Sequence, residues 1–342
     1  MTKKDIEKLI KDIFKNLKSE SVENVDDKVD AFDSVNTMET EDKKITLDKK
    51  YGNNKDNKKE FLIDVKEGKK YTLNIDSNVI DVDIRCSEED SFKIYVDNYE
   101  KIKKKEKLIF EVDNIGDKID INLKYKGVNI SNNSINITGR NSSIVINNGN
   151  FISISRSSNE NSNSDKVNGL RLVVLVPRLE GILSNVYVNS ISSDISIKDI
   201  ESVGDIKINS TLGDINLKNN KCREVELNSM SGEIFIDSSL SDRLGLKTTS
   251  GDITCEMVNS KVAVCNSLSG DVDMCQCEGE DININLTSGD ILLSTIKYEK
   301  VNVRTMSGDI SLNNKAILEH KIKKLNTKTM SGKEKIFANC EF

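Results

Sequence analysis

The chain has 342 residues, a formal net charge of −6 and 31% charged residues. This acidic balance argues against nucleic acid as a main partner, and an aromatic content of 5% without any Trp leaves few platforms for stacking bases or sugars. The longest apolar run, Leu172 to Val176, is far shorter than the roughly 20 residues that span a bilayer.

The first predicted element is an amphipathic helix over residues 1–18, with six lysines and three acidic residues on its polar face. Its apolar stripe consists of Ile6, Leu9, Ile10, Ile13, Phe14 and Leu17. Because an isolated helix of this length is marginal in water, the stripe is expected to be buried. It is predicted to dock on the end of the following domain or to self-associate; a partner protein is an alternative, and the acidic residues weaken a third, contact with a membrane surface.

A flexible linker is predicted for residues 19–59, which alternate Asp, Glu, Asn and Lys with scattered small apolar residues. Residues 60–337 are predicted to form one all-β unit, irregular over 60–180 and regular over 181–337. A separate small sandwich for residues 60–127 is the alternative.

The regular part is defined by a tripeptide, Ser-Gly-(Asp/Glu), that recurs at a fixed step. Its glycines are Gly213, Gly232, Gly251, Gly270, Gly289 and Gly308, each 19 residues after the last, and Gly332 follows after 24. A fixed period of about 20 residues is typical of a solenoid. We therefore predict a parallel β-solenoid whose coils of about 19 residues stack on one another.

Each coil is predicted to contain two short strands, because apolar residues alternate with polar ones on both sides of every glycine. Ile253 and Cys255 follow Gly251 in this way, and Leu244 and Leu246 precede it. A further position, two residues before the glycine, carries medium or large side chains in every coil. These are Met230, Thr249, Leu268, Thr287, Met306 and Met330. A coil is therefore expected to hold five or six inward side chains.

The corner of each coil is the one candidate site. The glycine is expected to supply a positive φ, and the acidic residue after it to hydrogen-bond the turn backbone. In a parallel stack these acids form a ladder, which is either turn chemistry repeated for structural reasons or a surface for a cation or a ligand. Its members are Asp214, Glu233, Asp252, Asp271, Asp290 and Asp309, with Asp194 and Asp205 expected at the corners before them.

No other pattern points to catalysis or to a cofactor. His320 is the only histidine, and phosphate-binding glycine loops are absent from the sequence. Cys275 and Cys277 form a Cys-x-Cys pair, which indicates a metal or redox site only if more ligands lie nearby. We predict no enzyme, no metal and no cofactor; the alternative, a polysaccharide lyase or hydrolase, needs two differentiated carboxylates in a cleft.

A family resemblance rests on the serial Ser-Gly-Asp-Ile corners, the strand from Leu172 to Pro177 and the alternation from Val186 to Ile195. Over about residues 60–337 the chain resembles the bacterial putative-adhesin β-strand-repeat family, domain of unknown function 4097. The resemblance implies a right-handed β-helix-like solenoid, a bacterial source and no established enzymatic activity. Some relatives are linked to envelope stress and the sensing of cationic antimicrobial peptides.

The predicted function is therefore that of a non-enzymatic interaction protein of the adhesin type, with a protein or a cationic peptide as partner. A cytoplasmic assembly scaffold is a further alternative. The seven cysteines suit a reducing compartment, and no secretory signal is visible, so the residues indicate the cytoplasm, whereas the family indicates the cell surface. The Lys-, Asn- and Ile-rich composition is typical of an AT-rich, Gram-positive genome.

Overall fold

The computed structural model describes residues 60–99, 102, 108–125 and 169–340, together with the backbone of four short strands between residues 129 and 156. These residues belong to one compact unit. The predicted helix over 1–18 and the predicted linker over 19–59 lie outside the described residues. No helix in the described ranges is long and apolar enough to cross a bilayer.

The part of the chain before the regular coils contributes eleven strands. They are β1 (Glu60–Asp64), β2 (Tyr71–Ser77), β3 (Asp81–Ser87), β4 (Ser91–Asp97), β5 (Leu108–Ile115), β6 (Lys118–Tyr125), β7 (Asn129–Ser131), β8 (Ser134–Gly139), β9 (Ser142–Asn147), β10 (Asn150–Arg156) and β11 (Arg171–Pro177). Strands β7 to β10 form a four-stranded antiparallel sheet of their own.

The coils that follow alternate a long strand with a strand of four residues. Their strands are β12 (Leu183–Ser192), β13 (Ile195–Lys198), β14 (Asp205–Leu212), β15 (Ile215–Lys218), β16 (Glu224–Ser231), β17 (Ile234–Asp237), β18 (Leu240–Ser250), β19 (Ile253–Glu256), β20 (Asn259–Ser269), β21 (Val272–Cys275), β22 (Glu278–Ser288), β23 (Ile291–Ser294), β24 (Lys297–Ser307) and β25 (Ile310–Asn313). After a 3-10 turn (Lys315–Ile317) come β26 (Lys321–Ile322), β27 (Lys324–Ser331), β28 (Glu334–Phe337) and β29 (Asn339–Cys340).

The coils stack in parallel, and this confirms the predicted β-solenoid. The long strands form an 11-stranded sheet in the order β27-β24-β22-β20-β18-β16-β14-β12-β2-β6-β5. The short strands belong to a 12-stranded sheet in the order β1-β4-β11-β3-β13-β15-β17-β19-β21-β23-β25-β28. Equivalent residues of successive coils pair directly, as Ile253 does with Val272 and Leu244 with Ala263. One coil therefore supplies the ladder hydrogen bonds of the next.

The core lies between the two sheets and consists of the predicted alternating positions. Leu246, Ile253 and Cys255 are fully buried, and the same columns continue through the stack. The position two residues before each glycine does not belong to this core, contrary to the expectation. Met230, Met306 and Met330 are exposed by 40%, 53% and 73%. The long strand keeps its period of two to its end, so the residue one place earlier faces inward instead.

The strands of the irregular half belong to the same two sheets. β2 pairs in parallel with β12, and β3 pairs in parallel with β13. β11 lies between β3 and β4 and runs antiparallel to β4. Aromatic edge-to-face contacts fill this wider end, with ring centroids 5.1 Å apart for Phe61 and Phe110 and 5.2 Å apart for Tyr71 and Phe92. Its loops vary in length because large side chains replace the uniform aliphatic columns.

The last coil has a polar interior. Glu334 stands in a core column of the short-strand sheet, where it accepts hydrogen bonds from the Thr327 hydroxyl at 2.7 Å and the Thr329 N–H at 3.2 Å. A carboxylate at this position gives the stack a hydrophilic end in place of an open core, as terminal repeats of solenoids require. Strands β27 and β28 are the edge strands of the two sheets at this end.

Candidate functional site

The glycine corners of successive coils lie directly on one another. A Cβ built on Gly270 would come closer than 3.0 Å to the carbonyl oxygen of Gly251, and a Cβ on Gly251 would meet Gly232 in the same way. The glycines are therefore required because backbones approach closely from coil to coil. The expectation that each needs a positive φ is wrong for Gly232, Gly251 and Gly332, which are not in that region, although it holds for Gly213, Gly270, Gly289 and Gly308.

The acidic residue after each glycine binds the backbone of the next coil. The Asp271 carboxylate accepts the N–H of Asp290 at 2.7 Å, and Asp290 in turn accepts the N–H of Asp309 at 2.7 Å. The same bond runs from Asp214 to Asp194, Glu233 to Asp214, Asp271 to Asp252 and Lys333 to Asp309. The carboxylates thus belong to the turn chemistry of the stack, and one oxygen of each acceptor is fixed in place.

The six predicted ladder residues all lie on this one edge, which we call the acidic edge: Asp214, Glu233, Asp252, Asp271, Asp290 and Asp309. All six are exposed, and none forms an ion pair with any other described residue. Successive members are one coil apart, about 4.8 Å along the stack. The edge therefore presents a row of carboxylates whose free oxygens face solvent.

Asp205 does not belong to this row. It begins strand β14 on the long-strand sheet, where it is buried and accepts hydrogen bonds from the Arg223 guanidinium at 2.8 and 3.1 Å. The expectation that it occupies a corner is wrong because the coil before Gly213 is one residue longer than the later coils.

The acidic edge is a line of ligands and does not converge on a point. Within the described ranges no three His, Cys, Asp or Glu side chains are grouped so that they could hold a metal ion. Neighbouring carboxylates are tied to successive backbone N–H groups, which keeps them in a row. The arrangement suits an extended ligand with repeated positive charges better than a single cation.

The remaining sequence candidates lie in other places. Gln276 adopts φ of 54°, so Cys275 and Cys277 point to different sides of the chain, the first half-buried and the second buried. Burial raises the pKa of the Cys277 thiol to about 12, and that of Cys265 likewise, so both thiols are neutral. The His320 ring nitrogen Nε2 lies 3.0 Å from the carbonyl oxygen of Tyr298. The predicted docking helix lies outside the described residues.

One feature of the long-strand sheet escaped the sequence analysis. On its outer face, Asn side chains of successive coils donate to one another, from Asn209 to Asn189 and from Asn228 to Asn209, each at 3.0 Å. The signal was an Asn two residues before a buried Ser in several coils. These amide ladders hold the sheet face in register.

Comparisons with known proteins agree with the fold. The family model described as Toastrack DUF4097 matches residues 70–329. A putative lipid binding protein from Parabacteroides distasonis is similar in structure, with 15% identity and a TM-score of 0.47, over 82% of this chain and 97% of that one. A putative adhesin from Bacteroides fragilis shows 13% identity and a TM-score of 0.41, over 81% and 97%. No curated protein matches the chain.

Proposed function

Because the chain belongs to the Toastrack DUF4097 family, we propose that it is a non-catalytic binding protein of the adhesin type. Its ligand surface is the acidic edge, and its ligand is a cationic peptide. One observation carries this proposal: exposed carboxylates stand in register on one edge, each acceptor with one oxygen held by a backbone N–H and no cation of the described residues against it.

The fixed carboxylates lower the cost of binding. A carboxylate already oriented by a backbone hydrogen bond loses little freedom when an ammonium or guanidinium group reaches its second oxygen. Flexible Lys or Arg side chains of an extended peptide can therefore contact successive coils without rearranging the edge.

The surrounding charge favours the same ligand. Residues 181–296 contain 18 Asp and Glu against eight Lys and Arg, a net charge of −10. A field of one sign attracts an oppositely charged ligand and accelerates its association at low salt.

The alternative of a polysaccharide lyase or hydrolase receives less support. Such enzymes need two carboxylates in different environments, one acting as acid and one as base or nucleophile. The members of the acidic edge share a single environment, exposed and placed beside the same corner in every coil.

Titration calorimetry with an oligolysine peptide tests the proposal. The quadruple variant Asp252→Asn, Asp271→Asn, Asp290→Asn and Asp309→Asn removes four charges but keeps an amide oxygen where each carboxylate oxygen accepts its backbone N–H. We expect its affinity to fall by about tenfold or more, since each exposed pair contributes up to about 1 kcal/mol.

A matched control removes four exposed acids away from the edge, by Glu180→Gln, Glu201→Gln, Asp242→Asn and Glu280→Gln. It should bind oligolysine nearly as tightly as the unchanged protein. Equal losses in the two variants, or none in the edge variant, would contradict a ligand site on the acidic edge.

We further propose that the protein works in a reducing compartment, the cytoplasm. All seven cysteines are free, and four of them are buried in the core. Protease added to intact cells should then leave the chain uncut. Cleavage would place it on the cell surface.

A further inference from the structure

The C-terminal end of the stack has the opposite charge to the coils before it. Residues 297–340 contain ten Lys and Arg against four Asp and Glu, a net charge of +6, whereas residues 181–296 carry −10. The chain as a whole is acidic, so this end is a local reversal that composition conceals. We propose that it is a docking surface for a bilayer of anionic lipids.

The outer faces of the last two long strands carry the same series of side chains. β24 presents Lys300, Asn302, Arg304 and Met306, and β27 presents Lys324, Asn326, Lys328 and Met330. The two series are in register, with Lys300 beside Lys324 and Arg304 beside Lys328. We call the two cation pairs and the two methionines the basic-Met face.

The four cations of the basic-Met face are available to a ligand. All four are exposed, and none forms an ion pair with another described residue. Between them, Asn326 donates to Asn302 at 2.7 Å, which ties the centre of the face together. Cations four residues apart on a strand are about 13 Å apart, and neighbouring strands about 4.8 Å, so several lipid headgroups fit beneath them.

The methionines give the face a second character. Met306 and Met330 are adjacent at one end of the two strands and are exposed by 53% and 73%. Side chains this apolar are exposed at a cost unless a partner covers them. Long flexible thioethers beside a row of cations can enter the apolar layer just below the headgroups while the cations remain among the phosphates.

The basic-Met face ends abruptly within the sheet. One strand earlier, β22 presents Asp281 beside Lys300, and Asn285 beside Arg304. The residue next to Met306 in that strand is Thr287. The cations and methionines are therefore confined to the last two long strands.

The surroundings of the face are also basic and apolar. Phe337 on β28 is exposed by 47%, and the Lys315 ammonium lies 4.0 Å from the centre of its ring. Leu318, just after the 3-10 turn, is exposed by 55%. An end of a molecule with excess cations and several exposed apolar side chains fits an anionic membrane better than a dissolved anion.

Two other partners with negative charge fit less well. Nucleic acid would be bound through stacking on aromatic side chains, and the basic-Met face has none. The acidic edge of a second copy could pair with the cations, but it offers no apolar surface for Met306 and Met330. Both partners make distinct predictions in the test.

Vesicle flotation of the full chain tests the proposal. We expect binding to vesicles of equal parts phosphatidylglycerol and phosphatidylcholine, and none to vesicles of phosphatidylcholine alone. The variant Lys300→Gln, Arg304→Gln, Lys324→Gln, Lys328→Gln should bind on the order of a hundredfold more weakly, because each cation near an anionic surface contributes a factor of about five.

A matched control removes four exposed or half-exposed cations elsewhere, by Lys118→Gln, Lys198→Gln, Arg243→Gln and Lys247→Gln. It has the same net charge as the first variant and should retain most of the binding. The variant Met306→Gln, Met330→Gln should also bind more weakly, and its deficit should persist in high salt, where the contribution of the cations is screened. Unchanged thermal unfolding of each variant shows that the fold is intact.

Three outcomes would overturn the proposal. Equal binding by the face variant and the unchanged protein would assign any membrane contact to another segment, such as residues 1–18. Binding to duplex DNA that matches the binding to vesicles would indicate an unspecific polyanion surface. Salt-sensitive self-association lost in the face variant, without vesicle binding, would assign the face to a second copy. The result does not depend on whether the acidic edge binds a peptide.

Discussion

The two edges of the stack solve the same problem in different ways. On the edge that carries the glycines, every regular coil uses Gly, because a Cβ would overlap the backbone of the previous coil. On the opposite edge, every coil also turns through a left-handed residue, but none is glycine. These residues are Asp199, Asn219, Ser238, Met257, Gln276 and Thr295, with φ between 51° and 57°.

The difference shows which constraint leaves a mark in a sequence. A left-handed conformation costs an ordinary residue roughly 1–2 kcal/mol, and the inter-coil backbone hydrogen bonds of the opposite edge hold it there. The Met257 N–H donates to Cys275 and the Thr295 N–H to Asn313, at 2.9 and 3.0 Å. A Cβ against a carbonyl oxygen has no such remedy. Steric exclusion is therefore conserved along the repeat, whereas a modest conformational cost is not.

The largest effect is expected from adding a Cβ to the glycine edge. Gly270→Ala should lower the free energy of unfolding by about 3 kcal/mol or more, because the coils must separate to admit the methyl group. Gly245→Ala is the control. The nearest atom to its Cβ is the Val225 carbonyl oxygen at 3.8 Å, an ordinary contact. Urea unfolding should show little change for the control, and similar losses in both variants would refute the steric account.

Alkaline pH should weaken the interior of the opposite edge. Burial raises the pKa of the Cys277 thiol from 9.0 to about 12. The unfolded chain then loses this proton first, so the stabilisation present below about pH 9 is lost progressively as the pH rises toward 12. Urea unfolding midpoints between about pH 8 and pH 11 should fall less steeply for Cys277→Ala than for the unchanged protein. Cys275→Ala, at a half-buried position, should keep the original slope.

The acidic residues of the glycine edge should contribute through their acceptor oxygen. Asp271→Ala leaves the Asp290 N–H without its partner and should cost about 1–2 kcal/mol. Asp271→Asn retains an oxygen acceptor and should cost less than half as much. Thermal unfolding of the two variants distinguishes these cases, and equal losses would mean that the charge, not the hydrogen bond, stabilises the corner.

The smallest effect is expected on the opposite edge. Thr295→Asn should stabilise the fold by about 1 kcal/mol, because Asn tolerates the left-handed region better than a β-branched residue. The reverse change, Asn219→Thr, should destabilise by at least as much. Differential scanning calorimetry measures both, and a destabilised Thr295→Asn would show that the Thr side chain stabilises this corner.

Much of the fold could be predicted because the core alternates with a period of two. Residues such as Leu246 and Ile253 were assigned inward, and they are fully buried. The acidic edge was also predicted, because a constant step of 19 residues brings equivalent side chains together. The sequence did not reveal the opposite edge, since six different residue types adopt one conformation there.

Two further features were not predictable from local pattern. Met306 and Met330 looked like core residues because their size matches a core position, yet they lie one place beyond the last inward residue of the strand. The basic-Met face needs Lys300 beside Lys324, a step of 24 residues that breaks the period. Regional charge would have found this end, whereas the net charge of the whole chain hides it.

Hydrogen exchange with an oligolysine peptide tests the central claim that the acidic edge is the ligand surface. The backbone N–H groups of Asp271, Asp290 and Asp309 donate to carboxylates of that edge, so a bound peptide should slow their exchange. We predict protection that recurs every 19 residues at the glycine corners and is absent from the opposite edge. Protection on the sheet faces instead, or none while the peptide is bound, would contradict the account.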